Sequence, residues 1–138
     1  MFTVVLTALL QTTVTAAPGS YADAWSAAVG EGKPLVVLIG AEWCPACEQM
    51  KNSVMPEVAN RGALNNVAYA YVNTDRERRL SAKLMSGNLI PQLLIYSKTP
   101  DGWRRQQLVG AQSASAVAQL LDAASTPAVA NVSQRSGE

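Results

Sequence analysis

Residues 35–39 read Leu-Val-Val-Leu-Ile, five apolar side chains without a break, with Pro34 before them and Gly40 after. Five residues is strand length, and unbroken apolarity asks for burial on both faces. Such a strand lies inside a sheet covered by helices on each side, which points to an α/β layered architecture. The 138 residues leave room for one core of this kind, not two. A hydrophobic fraction of 49% against 15% charged residues excludes a disordered chain.

Helix and strand patterns alternate around this run. Ser20 reads as the N-cap of a helix with Asp23 three residues on, and Tyr21, Trp25 and Ala28 share one face. Gly30 and Gly32 end that helix, and Pro34 blocks its resumption. After Cys44, the residues Cys47, Met50, Val54 and Val58 fall on one helical face, with Glu48, Gln49, Lys51 and Asn52 opposite. Pro56 should kink or end this second helix. Val67 to Val72 is the next strand. Asp75 would cap a helix over 76–85, with Leu80 and Leu84 inward and Gly87 as its stop. Leu93 to Tyr96 is a third strand. Thr99-Pro100-Asp101-Gly102 is a turn, and Trp103 to Val109 is the return strand, whose Arg104-Arg105-Gln106-Gln107 suits an edge. Ser113 caps a last helix that carries Val117, Leu120, Leu121 and Ala124. The alternation implies a partly parallel sheet with an antiparallel hairpin at its end.

The two ends read differently. Residues 1–22 carry no charged side chain, and an apolar run over 4–10 leads to Ala16-Ala17-Pro18. A short apolar run ending in small residues is the pattern of a secretory signal, here residues 1–17. No Lys or Arg precedes the run, and Thr7 interrupts it, so a membrane anchor or an apolar first element stays open. Residues 125–138 show no period and read as a disordered tail. Asn131-Val132-Ser133 within that tail is a weak glycosylation match.

The chain has 2 cysteines and no histidine. Without His, neither a Ser-His-Asp nor a Cys-His arrangement can be built, and His-ligated metal sites are excluded. Two Cys cannot complete a four-ligand zinc site. A net charge of +1 gives no general attraction to nucleic acid. The cysteines form one pair, Cys44-Pro45-Ala46-Cys47, between the buried strand and the start of a helix. There, backbone N–H groups and the positive helix end would stabilise a Cys44 thiolate. Cys47 falls one turn in, on the inward face. That asymmetry suits thiol–disulfide exchange, with Cys44 attacking and Cys47 resolving. Pro45 falls near the first helical position, where its missing N–H matters least. A structural disulfide would close too short a loop to contribute much. A soft-metal site for Cu(I) remains a second alternative, with no flanking Met or Cys besides Met50.

The segment Ala41-Glu42-Trp43-Cys44-Pro45-Ala46-Cys47 after an apolar strand resembles the active-site segment of the thioredoxin superfamily. Ile90-Pro91 resembles that family's cis-proline loop, Val109-Gly110-Ala111 its last strand end, and Val72-Asn73-Thr74-Asp75 its strand-to-loop segment. The resemblance covers about residues 20–124. It is closest to the branch holding the C-terminal domain of the transmembrane carriers that deliver reductant to the bacterial periplasm. It implies a thioredoxin-like α/β fold, a central mixed four- to five-stranded sheet with helices on both faces. It implies that Pro91 is cis beside the Cys pair, that Ile90 offers its backbone to substrate, and that Gln92 sits beside the pocket. Trp43 would rim Cys44 or pack in the core. The expected function is thiol–disulfide exchange with protein substrates, needing no bound cofactor because electrons come from a partner protein. The expected setting is periplasmic or otherwise extracytoplasmic, as a monomer with no membrane insertion once the signal is removed. A binding module without turnover, copper-handling or chaperone-like, is the rival.

Three departures from the family pattern stand out. The buried Asp that many thioredoxins carry six positions before the first Cys is Leu38 here, and its usual Lys neighbour is Tyr71. Cys47 would then deprotonate through water or through Glu42, unless Glu42 simply occupies the surface. Gln92 stands where many relatives have Thr. Pro45-Ala46 replaces the commoner Gly-Pro. The lack of His also removes the Cys-x-His-Cys form of many oxidases and isomerases, which favours a reductase.

Overall fold

The computed structural model describes residues 17–126. The signal-like segment, apart from Ala17, and nearly all of the tail, including the 131–133 match, lie outside these residues. Leu35–Gly40 (β1) is buried at every position and is one of the two inner strands of a four-stranded sheet in the order β2-β1-β3-β4. Ala68–Asn73 (β2) runs parallel to it, while Gln92–Thr99 (β3) and Gly102–Val109 (β4) form an antiparallel hairpin whose first strand pairs with β1. Among the four strands only β1 and β2 pair in parallel. A single parallel bridge between Gly19 and Ala70 extends the sheet beyond β2.

Helices cover both faces. On one face lie Tyr21–Glu31 (α1) and Arg78–Leu84 (α4), with Leu35, Val37, Ile39, Ala70, Val72 and Leu94 beneath. On the other lie the long second helix and Ala114–Ser125 (α5), over Val36, Leu38, Leu93 and Ile95. Ser20 and Ser113 cap their helices through side-chain oxygens, as the sequence indicates. Gly32, at a φ of 66°, closes α1 in the left-handed conformation that glycine adopts without strain.

Several local expectations are corrected. In α1 the buried residues are Ala24 and Ala28, and Trp25 is 39% exposed. Small side chains let the helix backbone approach the sheet, and the aromatic rings are displaced to its margin. There Trp25 packs with Tyr21, Tyr96 and Trp103 at centroid distances of 6.2–6.3 Å. Pro56 does not end the second helix. Pro45–Gln49 (α2) passes through a π turn over Met50–Val54 into Met55–Asn60 (α3). The Met55 N–H bonds to the Met50 carbonyl, and Pro56 takes the start of α3, where its absent donor does little harm. The wide turn puts Met55 in the core where Val54 was expected, with Val54 only partly buried, while Cys47, Met50 and Val58 stay inward.

Asp75 does not cap α4, which begins later, at Arg78. The Asn73 side chain accepts from the Asp75 and Arg76 N–H groups instead, and Glu77 accepts from the Asn73 N–H. The helix stops at Leu84, before Gly87, as Met85 turns extended.

Candidate active site

Cys44 and Cys47 are joined as a disulfide, with Cα atoms 5.2 Å apart. Cys44 is the N-cap of α2 and Pro45 its first helical residue, so the helix starts inside the motif. The Cys47 N–H points at Cys44 Sγ at 3.2 Å. Cys44 keeps 7% of its surface exposed and Cys47 none. The two sulfurs thus differ in access as the helical spacing implies. Pro45 is exposed and Ala46 partly so, which leaves the motif's loop side open.

Trp43 is 69% exposed and rims the site, excluding the core-packing alternative. Its Nε1 donates to the Asp75 carboxylate at 2.9 Å. Glu42 lies at the surface, its carboxylate 2.6 Å from the Arg76 guanidinium. That ion pair leaves Glu42 facing solvent and Arg76, not Cys47.

The Ile90–Pro91 peptide bond is cis. Gln92 pairs with Ile39 in the β1–β3 register, so the chain enters β3 at the same sheet end where β1 leads to Cys44. The Pro91 carbonyl accepts from the Gly110 N–H at 2.8 Å, which ties the loop to the end of β4. Trp43 and Ile90 both line a groove of about 420 Å³, together with Thr74, Ser81, Ala82 and Met85. Leu89, next to Ile90, is 71% exposed. Large apolar groups exposed around an open groove are the usual mark of a binding surface.

Gln92 does not face that groove. It is fully buried, and its amide nitrogen donates to the Ser86 and Leu89 carbonyls at 2.9 and 2.8 Å. Its Oε1 accepts from the Ser86 N–H and from Gln107. The side chain supports the 86–91 loop from behind.

Leu38 is fully buried and lies opposite Tyr71 in the β1–β2 register, so the substituted pair of the family pattern does come together. Burial pushes the Tyr71 phenol above its ordinary pKa, and the nearby Glu48 charge adds to this. Two site features escape sequence reasoning. Asp75 holds Trp43, although a helix cap is its more obvious use. Gly40 touches Cys47 so closely that an added Cβ would lie 2.8 Å from Cys47 Cβ. The signal for the latter was a glycine ending an otherwise apolar strand just before the motif. Among the described residues, no group of three or more His, Cys, Asp or Glu is placed to hold a metal ion.

No curated protein matches the chain in sequence. Among solved structures, a thioredoxin from Thermus thermophilus is 19% identical, with a TM-score of 0.65 over 79% of this chain and 87% of that one. Chloroplastic thioredoxin z is 18% identical, with a TM-score of 0.66 over 82% and 96%. Trxlp from Edwardsiella tarda is 25% identical, with a TM-score of 0.57 over 75% and 95%. A thioredoxin fold with a Cys-x-x-Cys pair supports thiol–disulfide oxidoreduction as its general chemistry. The family model of the thioredoxin-like domain matches residues 21–125, the span from α1 to α5, and the chain belongs to that family.

Proposed function

We propose that this protein exchanges its Cys44–Cys47 disulfide with cysteine pairs of other proteins, and that it works as a reductase outside the cytoplasm. The observation that carries the reading is the asymmetry of the pair. Cys44 keeps 7% of its surface exposed next to the exposed Trp43, whereas Cys47 keeps none. A structural staple has no use for that difference, and exchange depends on it.

In the reduced protein the Cys44 thiolate attacks a substrate disulfide. One substrate sulfur bonds to Cys44 and the other leaves as a thiolate. Cys47, once deprotonated, attacks Cys44 Sγ and expels the second substrate sulfur. Two electrons pass to the substrate, and the pair ends oxidised. A dithiol on a partner protein restores it by the reverse exchange, so no bound cofactor is required. The Cys47 N–H at Cys44 Sγ is the kind of donor that stabilises the attacking thiolate. An extended substrate chain would lie along the Trp43–Ile90 groove, pairing with the backbone at Ile90 beside Pro91.

The extracytoplasmic setting is supported by the uncharged, signal-like start of the chain, and the reductive direction by the lack of a His between the cysteines. Reduction of insulin disulfides by the wild type, lost in Cys44→Ser, tests the activity. Equilibration with a glutathione series tests the direction. A potential of roughly −270 mV supports a reductant, and one of roughly −120 mV would make the protein an oxidant.

A further inference from the structure

The thiol that must lose a proton during resolution is Cys47, which is fully buried. β1 offers no carboxylate, because Leu38 fills the position that would carry one. A polar atom approaches Cys47 from β2 instead, and Glu48 follows Cys47 on its own helix. A Cβ built on Gly40 would meet Cys47 Sγ at 3.0 Å and Tyr71 Oη at 3.4 Å, so sulfur and phenol oxygen flank one point above a bare Cα. Tyr71 Oη is buried and finds no hydrogen-bond partner among the described residues. The same holds for Oε1 of Glu48, the residue after Cys47, whose other oxygen accepts from Asn52 at 2.9 Å. A buried polar atom left unpaired is costly, so such a pair of atoms asks for a reason. One of these atoms, the phenol oxygen, lies beside the thiol that has to ionise, and the other belongs to a carboxylate near enough for its charge to act on that phenol.

We propose that Tyr71 and Glu48 carry the proton of Cys47, a proposal that rests on the exchange reading above. In the mixed disulfide, the Cys47 S–H passes its proton to Tyr71 Oη and the phenol passes its own proton to Glu48 Oε1, each across one water, since neither oxygen has a direct partner among the described residues. The Cys47 sulfur then bonds to Cys44 Sγ. The bond from Cys44 to the substrate sulfur breaks, and its electron pair leaves on that sulfur. Glu48 returns the proton to solvent or to the departing thiolate. Tyr71 is neutral before and after.

The surroundings suit a relay rather than a base. From the second helix, Glu48 and Lys51 face the phenol, with Lys51 Nζ 4.5 Å from the ring centroid. From the loops at the sheet end come Glu42, Asp75 and Arg76, and from β2 comes Tyr69. Burial and the three carboxylates outweigh Arg76 and keep the phenol protonated through neutral pH.

The test mixes the reduced full chain with an aromatic disulfide reagent that releases a yellow thiolate. Release comes in two phases, the first as Cys44 forms the mixed disulfide and the second as Cys47 resolves it. Wild type, Tyr71→Phe and Glu48→Gln are followed from about pH 6 to about pH 9.5, across an ordinary thiol's value. The ratio of second- to first-phase rate should fall about tenfold at the acid end in each variant, the size of one pKa unit. The deficit should close at the alkaline end, where hydroxide takes the proton. The double variant should be no slower than the slower single one. Ratios equal to wild type at every pH would overturn the relay, as would a deficit that does not change with pH, which marks altered packing. A wild type with no first phase would overturn the exchange reading itself, and the relay with it.

Discussion

The Trp43 indole donates a 2.9 Å hydrogen bond to the carboxylate of Asp75, a residue on the far side of β2 in sequence. It fixes a ring that is 69% exposed and would otherwise turn freely. An exposed bond of this kind contributes at most about 1 kcal/mol to stability. Its larger effect is to present the ring to an incoming chain. Asp75→Ala should therefore leave the melting curve nearly unmoved while raising KM for a protein disulfide several-fold. Steady-state insulin reduction beside a small aromatic disulfide checks this, since the small substrate should be affected much less.

The difference in access between the cysteines makes single substitutions unequal. Cys47→Ser should stop exchange halfway, with substrate joined to Cys44 and visible as an adduct by non-reducing mass spectrometry. Cys44→Ser should trap nothing, because Cys47 has no exposed surface. Adducts of similar yield from both variants would contradict the assignment of attacker and resolver.

Gly40→Ala would place a Cβ 2.8 Å from Cys47 Cβ and 3.0 Å from its Sγ. Both atoms sit close to the backbone and cannot swing aside, so the strand or the helix must move. The expected loss is about 1–3 kcal/mol, read from urea unfolding, with slower resolution by the displaced Cys47.

Gln92 is the buried support of the loop that ends in Pro91. Gln92→Leu keeps the volume but leaves the Ser86 and Leu89 carbonyls without their donor. Ser86 and Leu89 are themselves exposed, and water takes over part of the loss. A cost of about 1–2 kcal/mol is expected. Faster hydrogen exchange at the Ser86 amide, now bonded to Gln92 Oε1, would show that the loop has loosened.

Tyr69, Tyr71 and Tyr21 are all held above the ordinary tyrosine value, first of all by burial. A group raised in the folded state contributes stability below its unfolded value and loses it as pH rises. Stability should thus be flat near neutrality and fall from about pH 10 upward, where unfolded tyrosines ionise and the folded ones resist. The effect is strongest for Tyr69. In a urea series taken to alkaline pH, Tyr69→Phe should decline less steeply than wild type.

Much of the fold was legible locally. The run Leu35–Ile39 marked an inner strand, Ser20 and Ser113 marked helix starts, and Thr99 to Gly102 marked the hairpin, because each signal lies within a few residues. Cys44 and Cys47 were legible for the same reason. Their difference in burial follows from one helical turn. Helix faces were read less well. The stripe in the second helix shifted from Val54 to Met55 because a π turn precedes Pro56, and hydrophobic period alone does not show a wide turn. In α1 the period puts Tyr21 and Trp25 on the inward face with Ala28, but Ala24 and Ala28 are the buried pair, since a large aromatic residue reads as core until the closeness of the sheet is known.

The sequence alone determined which strands and helices form and which sulfur would be the more accessible, since these follow from backbone preference and side-chain period. The tertiary structure decided who meets whom across the chain. Asp75 might have capped a helix but holds Trp43, Glu42 pairs with Arg76 instead of serving Cys47, and Gln92 turns inward to hold a loop. Tyr71 reaches the side of Gly40 where Cys47 lies only once β2 pairs with β1. Such partnerships depend on the register of strands distant in sequence. A polar side chain with several possible partners takes the one that packing brings within hydrogen-bond reach.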